Sequence, residues 1–358
     1  AVFIDGRSVA DKARWLREAA QAIRPDPNAG IFELDPRTLR AVPSVPFVYQ
    51  APRALLELAS SGSNLLALGA KAQQGFGAAT RFHRLRWEVP LDAIGPTKRW
   101  QHLAHGTPPS PFYKPTNYVV LWGESGKEAK ADVIGRYPYL NGNYGFKIQG
   151  ESDYGRHGLC YGKRTSQFTA QVMPQGHVFS FEGTAIHSRN ENLSIWNLLG
   201  ILNSRVAATW LNLVCAQHKT YNYVDALPIP SHLSDEFGDL ARSGWSLMWK
   251  KDLRNETSPA FVLPEGLLTR VVEWDLQKIE DELMRTLSAI NEKANEAYGV
   301  DEPAVERMML AGAHGKASEA PADEAGEDES VMGADPSGET DTTTASLSWL
   351  VGVAFGRF

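Results

Sequence analysis

The chain has 358 residues, room for two or three structural units, and its 43% hydrophobic and 22% charged residues match an ordinary globular protein with enough apolar mass for a core. A formal net charge of −6 argues against nucleic-acid binding over the whole surface, but nine of the 42 acids fall in residues 317–345, a stretch without Lys or Arg. The remainder carries 33 acids against 36 bases, so a local basic cleft stays open. Cys160 and Cys215, far apart, give no sign of a disulfide framework or a zinc site. With no signal peptide and no apolar run approaching about 18 residues, the expected location is cytoplasmic, with no membrane partner.

In chain order, residues 8–23 predict a helix, with Ser8 as cap, Asp11 in its first turn and an apolar stripe of Ala13, Leu16, Ala20 and Ile23. Residues 31–50 are Pro-rich and predicted extended. A short helix is predicted over 53–59, stopped by Ser60-Ser-Gly-Ser, and a strand over Leu65–Gly69. From 70 to 230, short β-like runs recur between turn signals such as Asn141-Gly-Asn143 and Pro174-Gln-Gly176. They include Tyr118–Trp122, Gly145–Gln149, Phe168–Val172 and Val178–Phe181. One helix is predicted inside this stretch, from about Leu193 to Cys215, with a break at Asn203-Ser204. Residues 264–313 predict helix from Leu268, Val272, Leu276, Ile279, Leu283, Leu287 and Ile290 at spacings of three and four. Residues 317–345 have the composition of a disordered linker. Both ends are apolar (Ala1-Val-Phe-Ile and Trp349 to Phe358), and the expectation is that each is a cut.

Three constellations combine bases with aromatics. The first runs from Lys71 through Gly75-Phe-Gly77 to Arg81, Arg84 and Arg86, alternating with Phe82, Leu85 and Trp87. A flexible Gly-rich loop beside arginines suits phosphate, because backbone N–H groups and guanidinium both hold anionic oxygen. A solvated edge strand explains the same pattern. The second is Lys98-Arg99-Trp100 followed by His102, His105 and a Pro-rich loop to Tyr113, which also fits a turn with a packed aromatic; a second ligand pair for metal is lacking. The third is Arg156 and Lys163-Arg164 to Gln167, side chains able to read base edges, or a polar hairpin. No Gly-x-Gly-x-x-Gly, Walker loop, His-Glu-x-x-His or Cys-x-x-Cys is present. Paired carboxylates for hydrolysis cannot be chosen from sequence.

The order of the segments carries a resemblance. Gln73-Gln-Gly-Phe-Gly77 with Arg81-Phe82 and Trp87-Glu-Val89; Lys98-Arg-Trp through Ser110-Pro-Phe-Tyr113 to Val119-Val-Leu-Trp122; Gly158-Leu to Lys163-Arg-Thr165 with Phe168-Thr-Ala-Gln-Val-Met-Pro174; Leu198 to Ser204; Asp225-Ala-Leu-Pro-Ile-Pro230; and Tyr298-Gly299 with Val351 to Arg357 resemble the C-terminal, target-recognition region of type IIG restriction–modification and BREX- or DISARM-type adenine-N6 DNA methyltransferases. The chain departs where the family has Thr-Gly-Asp/Asn and it has Ala78-Ala79-Thr80. It also lacks the Asn/Asp-Pro-Pro-aromatic turn and cofactor loop of the family's catalytic domain.

The resemblance implies an α+β chain whose activity, adenine methylation with S-adenosylmethionine, belongs to the parent protein. No cofactor, metal or catalytic residue is expected in this chain. The expected division is a helical connector from a missing methyltransferase domain (1–64), a β-rich target-recognition domain (65–230), a long helical spacer (231–316), a disordered acidic linker (317–345) and the start of a further segment (346–358). Expected partners are double-stranded DNA, the parent's methyltransferase domain and other defence-system subunits. The expected DNA contacts are Arg81, Arg84, Arg86, Lys98, Arg99, Arg156, Lys163, Arg164 and Gln167. The alternative is a protein–protein interaction module of a defence complex.

Overall fold

A computed structural model describes residues 2–6, 9–21, 26–27, 30–40, 42, 48–78, 80–106, 108–314 and 341–355. In chain order the elements are β1 (Val2–Ile4), α1 (Lys12–Ala20), β2 (Ile31–Glu33), α2 (Pro36–Leu39), α3 (Arg53–Ser61), β3 (Ala70–Gln73), β4 (His83–Leu85), β5 (Trp100–Ala104), β6 (Tyr118–Leu121) and α4 (Gly123–Arg136). They continue with β7 (Gly158–Gly162), β8 (Ala170–Met173), β9 (His177–Phe179), β10 (Gly183–Ser188), α5 (Ile195–Leu202), α6 (Arg205–Cys215) and α7 (Tyr221–Asp225). The rest are α8 (Asp235–Asp252), α9 (Glu265–Val271), α10 (Leu276–Tyr298), α11 (Glu302–His314) and α12 (Thr342–Ala354). The chain is mixed α+β.

Two four-stranded sheets form the centre. The first has order β3-β10-β7-β8, antiparallel throughout; the second has order β4-β6-β5-β9, with β5 and β9 parallel. Strand side chains alternate between faces, and the cores follow. Leu159, Tyr161, Ala170 and Ile186 face a large core shared with Leu198, Trp210, Phe237, Ile290 and Met308 of the helices. Their neighbours Cys160, Met173 and Ala185 meet Ala104 and Phe179 of the second sheet. The outer face of that second sheet packs Leu103, Val120 and Val178 on Ala129 and Val133 of α4. The layers are therefore helices, sheet, sheet, helix, which explains why β7 is buried along its whole length.

Helix α4 was not foreseen. Its buried apolar pair, Ala129 and Val133 four residues apart, is a short signal, and Glu124, Ser125 and Gly126 take left-handed backbone (φ 51°, 55° and 73°) before the regular helix begins. Several expected elements shift. Leu65–Gly69 is a turn, not a strand. Gly145–Gln149 holds a 3-10 turn (Tyr144–Phe146) with a single bridge from Ile148 to Phe76. In place of an extended 31–50, α2 follows β2. At the N-terminus Asp11 caps α1, accepting from the Arg14 N–H at 3.0 Å; the proposed cap Ser8 lies outside the described residues. The expected stripe is exposed at Leu16, and Ala19 is the buried residue.

The break at Asn203-Ser204 is where the sequence places it, and α5 and α6 meet at 66°. Asn203 Oδ1 accepts from the Ala170 N–H (3.1 Å) while its Nδ2 donates to the Ala170 and Leu199 carbonyls (both 2.9 Å). Ser204 then caps α6. Asn203→Ala strands these backbone groups and is expected to lower the unfolding free energy by about 2 kcal/mol in a denaturant titration. No single helix among the described residues is long and apolar enough to cross a membrane.

The expected spacer is built into the large core. Ile290, Ala294 and Tyr298 of α10 are buried there, and the Tyr298 hydroxyl donates to the Pro228 carbonyl at 2.9 Å. Of the expected linker, 317–340 lies outside the described residues. Its last five residues are not a loose chain: Asp341 caps α12, with its Oδ1 accepting from the Thr343 N–H at 2.9 Å.

Candidate nucleic-acid interface

The segment that opens the resemblance, Gln73 to Ala78, leaves the first sheet at β3 and passes between the two sheets. Gly75 donates to the Ser180 carbonyl (3.3 Å), Phe76 to that of Phe179 (2.8 Å) and Gly77 to that of Lys147 (2.7 Å). Gln74, Phe76 and Ala78 are buried. The glycines are thus required for close backbone approach, and the expected flexible loop with N–H groups open to phosphate is corrected: those N–H groups already have partners. The expected alternation over Arg81 to Trp87 also narrows, since only His83–Leu85 is strand and 3-10 turns flank it.

Of the basic residues in the first two constellations, Arg81 and Arg99 reach acids of α4, while Arg84, paired with Val119, lies on the other face of the second sheet. Arg81 pairs with Asp132 of α4, and Arg84 Nη1 donates to the carbonyls of His83 (2.6 Å) and Arg81 (3.0 Å). The Arg84 guanidinium lies 6.0 Å from the Trp100 ring. Arg99 pairs with Glu128 at 3.4 Å, and its carbonyl accepts from the N–H groups of Trp122 and Gly123. Lys98 is exposed beside it. Arg86 donates from Nη2 to the Thr257 carbonyl, 3.1 Å away.

Two further groups mark opposite ends of β7. Lys163 and Arg164 follow its last residue. Lys163 is only 7% exposed, with its ammonium 3.6 Å from the centre of the Phe181 ring, so it is a poor displayed cation; Arg164 pairs with Glu182 at 3.5 Å. Gln167 is exposed in the same loop, its backbone fixed by the Thr165 hydroxyl. Arg156 precedes β7. At about 3.3 Å per strand residue, it stands roughly 20 Å or more from Lys163. The alternative reading, a polar hairpin, fits the backbone: β7 and β8 are consecutive antiparallel strands, and Arg164 and Gln167 are exposed in the loop between them.

At the Arg156 end lies a cluster that sequence reasoning missed. Asp153 is 2% exposed and accepts from Gln73 Nε2 (2.6 Å), Arg156 Nη1 (2.7 Å) and Arg189 Nη2 (2.5 Å). Burial raises the pKa of this carboxyl, but hydrogen bonds from Gln73 and Arg156 and the charge of Arg189 outweigh it, and the net shift is downward. His187 lies against Gln73, 3.4 Å from its Nε2. Asp153 and Arg156 three residues apart were a visible signal. Arg189 was not, because only the pairing of β7 with β10 brings it close.

The histidines of the second constellation serve packing. His102 stacks on His177 with ring centres 5.0 Å apart, and His105 Nδ1 is 3.1 Å from the Ser180 hydroxyl. No cluster of three or more potential metal ligands occurs among the described residues.

No protein-family model matches the chain. Over 215 residues, 57% of its length, it is 26% identical to the adenine-specific methyltransferase BrxX of Escherichia coli O9:H4 (strain HS), and it spans 16% of that protein. Among solved structures it is similar to the type IIL restriction-modification enzyme MmeI in complex with DNA, with a TM-score of 0.44 and 12% identity, over 68% of this chain and 34% of that one.

Proposed function

We propose that this chain reads double-stranded DNA for an adenine-specific methyltransferase of a bacterial restriction or phage-defence system. The observation that carries the reading is the likeness to BrxX over 215 residues. That likeness supports a tie to a methyltransferase, while the chain's own sequence holds none of the cofactor loop or base-holding turn that methyl transfer requires. S-adenosylmethionine and the chemistry then belong to another part of the parent protein, in the cytoplasm, where the methyltransferase domain is the natural partner. Docking is electrostatic: Arg84, Lys98 and Arg99 approach phosphates, and an exposed polar side chain, Gln167, reads a base edge.

Titration with short duplexes at several salt concentrations tests this. Wild type is expected to bind, with affinity falling as salt rises. Arg84→Ala or Arg99→Ala should weaken all sequences alike and flatten the slope of log affinity against log salt by about one. Gln167→Ala should relax discrimination at one base pair by about 1–3 kcal/mol. A wild-type chain that ignores duplex DNA at low salt overturns the reading. The second reading, an interaction module, is favoured by α12, whose Leu347, Leu350 and Val351 are more than half exposed.

A further inference from the structure

The basic residues differ in how firmly they are held. Arg99 meets a partner that is itself exposed, and such pairs fix geometry weakly. Arg156 and Arg189 are different. Both bind one carboxylate, Asp153, which is almost wholly buried and is itself fixed by Gln73. Their backbones are set as well: the Arg156 N–H donates to the Asp153 carbonyl (3.1 Å) and the Arg189 N–H to the Gly69 carbonyl (2.7 Å). Arg156 Nη2 also donates to the Ser188 carbonyl at 3.5 Å, yet the two side chains keep 41% and 48% exposure, so part of each guanidinium faces solvent. Two guanidinium groups against one carboxylate leave a net positive charge at the end of the first sheet.

Here the acid is hidden and the bases are displayed, the arrangement of a support beneath a binding surface. Fixing a long side chain at an interface otherwise costs about 0.5–1.5 kcal/mol for each one ordered. Asp153 orders both beforehand, and paired planar guanidiniums match a tetrahedral oxyanion. We propose that Arg156 and Arg189, held side by side by Asp153, form a preorganised site for a phosphate of the DNA backbone. The proposal rests on the DNA-recognition reading above. Within it Arg156 and Arg189 touch the phosphate, and Asp153 is a positioning residue.

Asp153→Asn separates orientation from charge. It adds one positive charge to the chain, so attraction by charge alone predicts tighter binding. The preorganised site predicts binding several-fold weaker, because the carboxylate that aligns the arginines is gone. Fluorescence anisotropy with random-sequence duplexes over a range of salt measures it, with thermal melting to establish that the variant is folded. Arg189→Lys, at a displayed position, keeps the charge and removes the planar fork; it is expected to bind several-fold more weakly than wild type. Arg189→Ala should lose affinity on the order of tenfold for every sequence, with a salt slope shallower by about one. Should Asp153→Asn not fold, the two Arg189 variants decide. Wild-type binding matched by Asp153→Asn and Arg189→Lys overturns the site and leaves DNA recognition standing. A loss confined to one base pair overturns the phosphate assignment in favour of base reading. No duplex binding by wild type removes the recognition reading and this site together.

Discussion

Gly75→Ala is expected to destabilise the fold by at least about 3 kcal/mol, or to prevent folding. A Cβ on Gly75 would lie 2.0 Å from the Phe179 carbonyl oxygen and 2.5 Å from the Phe179 ring. The obstacle is backbone, paired through Phe76 to that same carbonyl, and it cannot swing aside as a side-chain tip could. Relief requires the two sheets to part at the point where one strand passes from the first to the second. Gly135→Ala supplies the contrast. That glycine is exposed near the end of α4 with nothing within 4 Å of an added Cβ. There the substitution should stabilise, by roughly 0.5–1 kcal/mol from helix propensity. Denaturant midpoints of the two variants should move in opposite directions; equal and small shifts would refute the tight crossing at Gly75.

Stability is expected to fall as pH drops from about 6.5 towards 4, a fall that begins well before ordinary carboxylates titrate. His177 and His187 are buried, and burial holds both imidazoles at about 4 against the usual value near 6.5. For His187 the nearby Asp153 opposes that shift without cancelling it. The unfolded chain therefore takes up protons through a window in which the native rings stay neutral. The unfolded state binds more protons there, so the stability of the native state decreases with falling pH. Each ring contributes up to about 3 kcal/mol across the window, at about 1.4 kcal/mol per pH unit. Carboxylates held low, such as Asp35 at about 2, contribute stability that is lost only in more acid solution. Urea unfolding at pH 7.5, 6 and 5 should show the midpoint falling, and His187→Gln should make the fall shallower. A midpoint constant over that range would sink the account.

What the sequence made legible was local. Asn203-Ser204 marked a helix break because both residues hydrogen-bond backbone ends, and the three-and-four spacing around Ile279 and Ile290 marked α10. The runs at Tyr118 and Val178 marked strands to within two residues. Failures came where distant packing set the outcome. Gly75-Phe-Gly77 carries the composition of a mobile loop, yet the neighbouring backbone of Phe179 and Ser180 claims its N–H groups. Lys163 looks like a free cation in sequence, but the ring of Phe181 is what it meets. Helix α4 hid behind a left-handed turn. For the candidate site, Arg156 and its neighbours were visible as charge. Their grouping at two ends of β7, and the union of Arg189 with Asp153, depended on strand pairings between residues far apart in the chain.

The strand order sets a schedule for biosynthesis. The chain lays down β3 in the first sheet, then β4, β5 and β6 in the second, returns for β7 and β8, leaves again for β9, and closes the first sheet with β10. Lys71 of β3 must wait for His187, about 115 residues later. At roughly 5–20 residues per second of translation, that wait is on the order of ten seconds. For that interval β3 emerges from the ribosome as a bare edge, open to chaperones and to wrong neighbours. Because strands of the two sheets alternate along the chain, neither sheet is one continuous segment, and exchanging either alone would mean cutting the chain at several points.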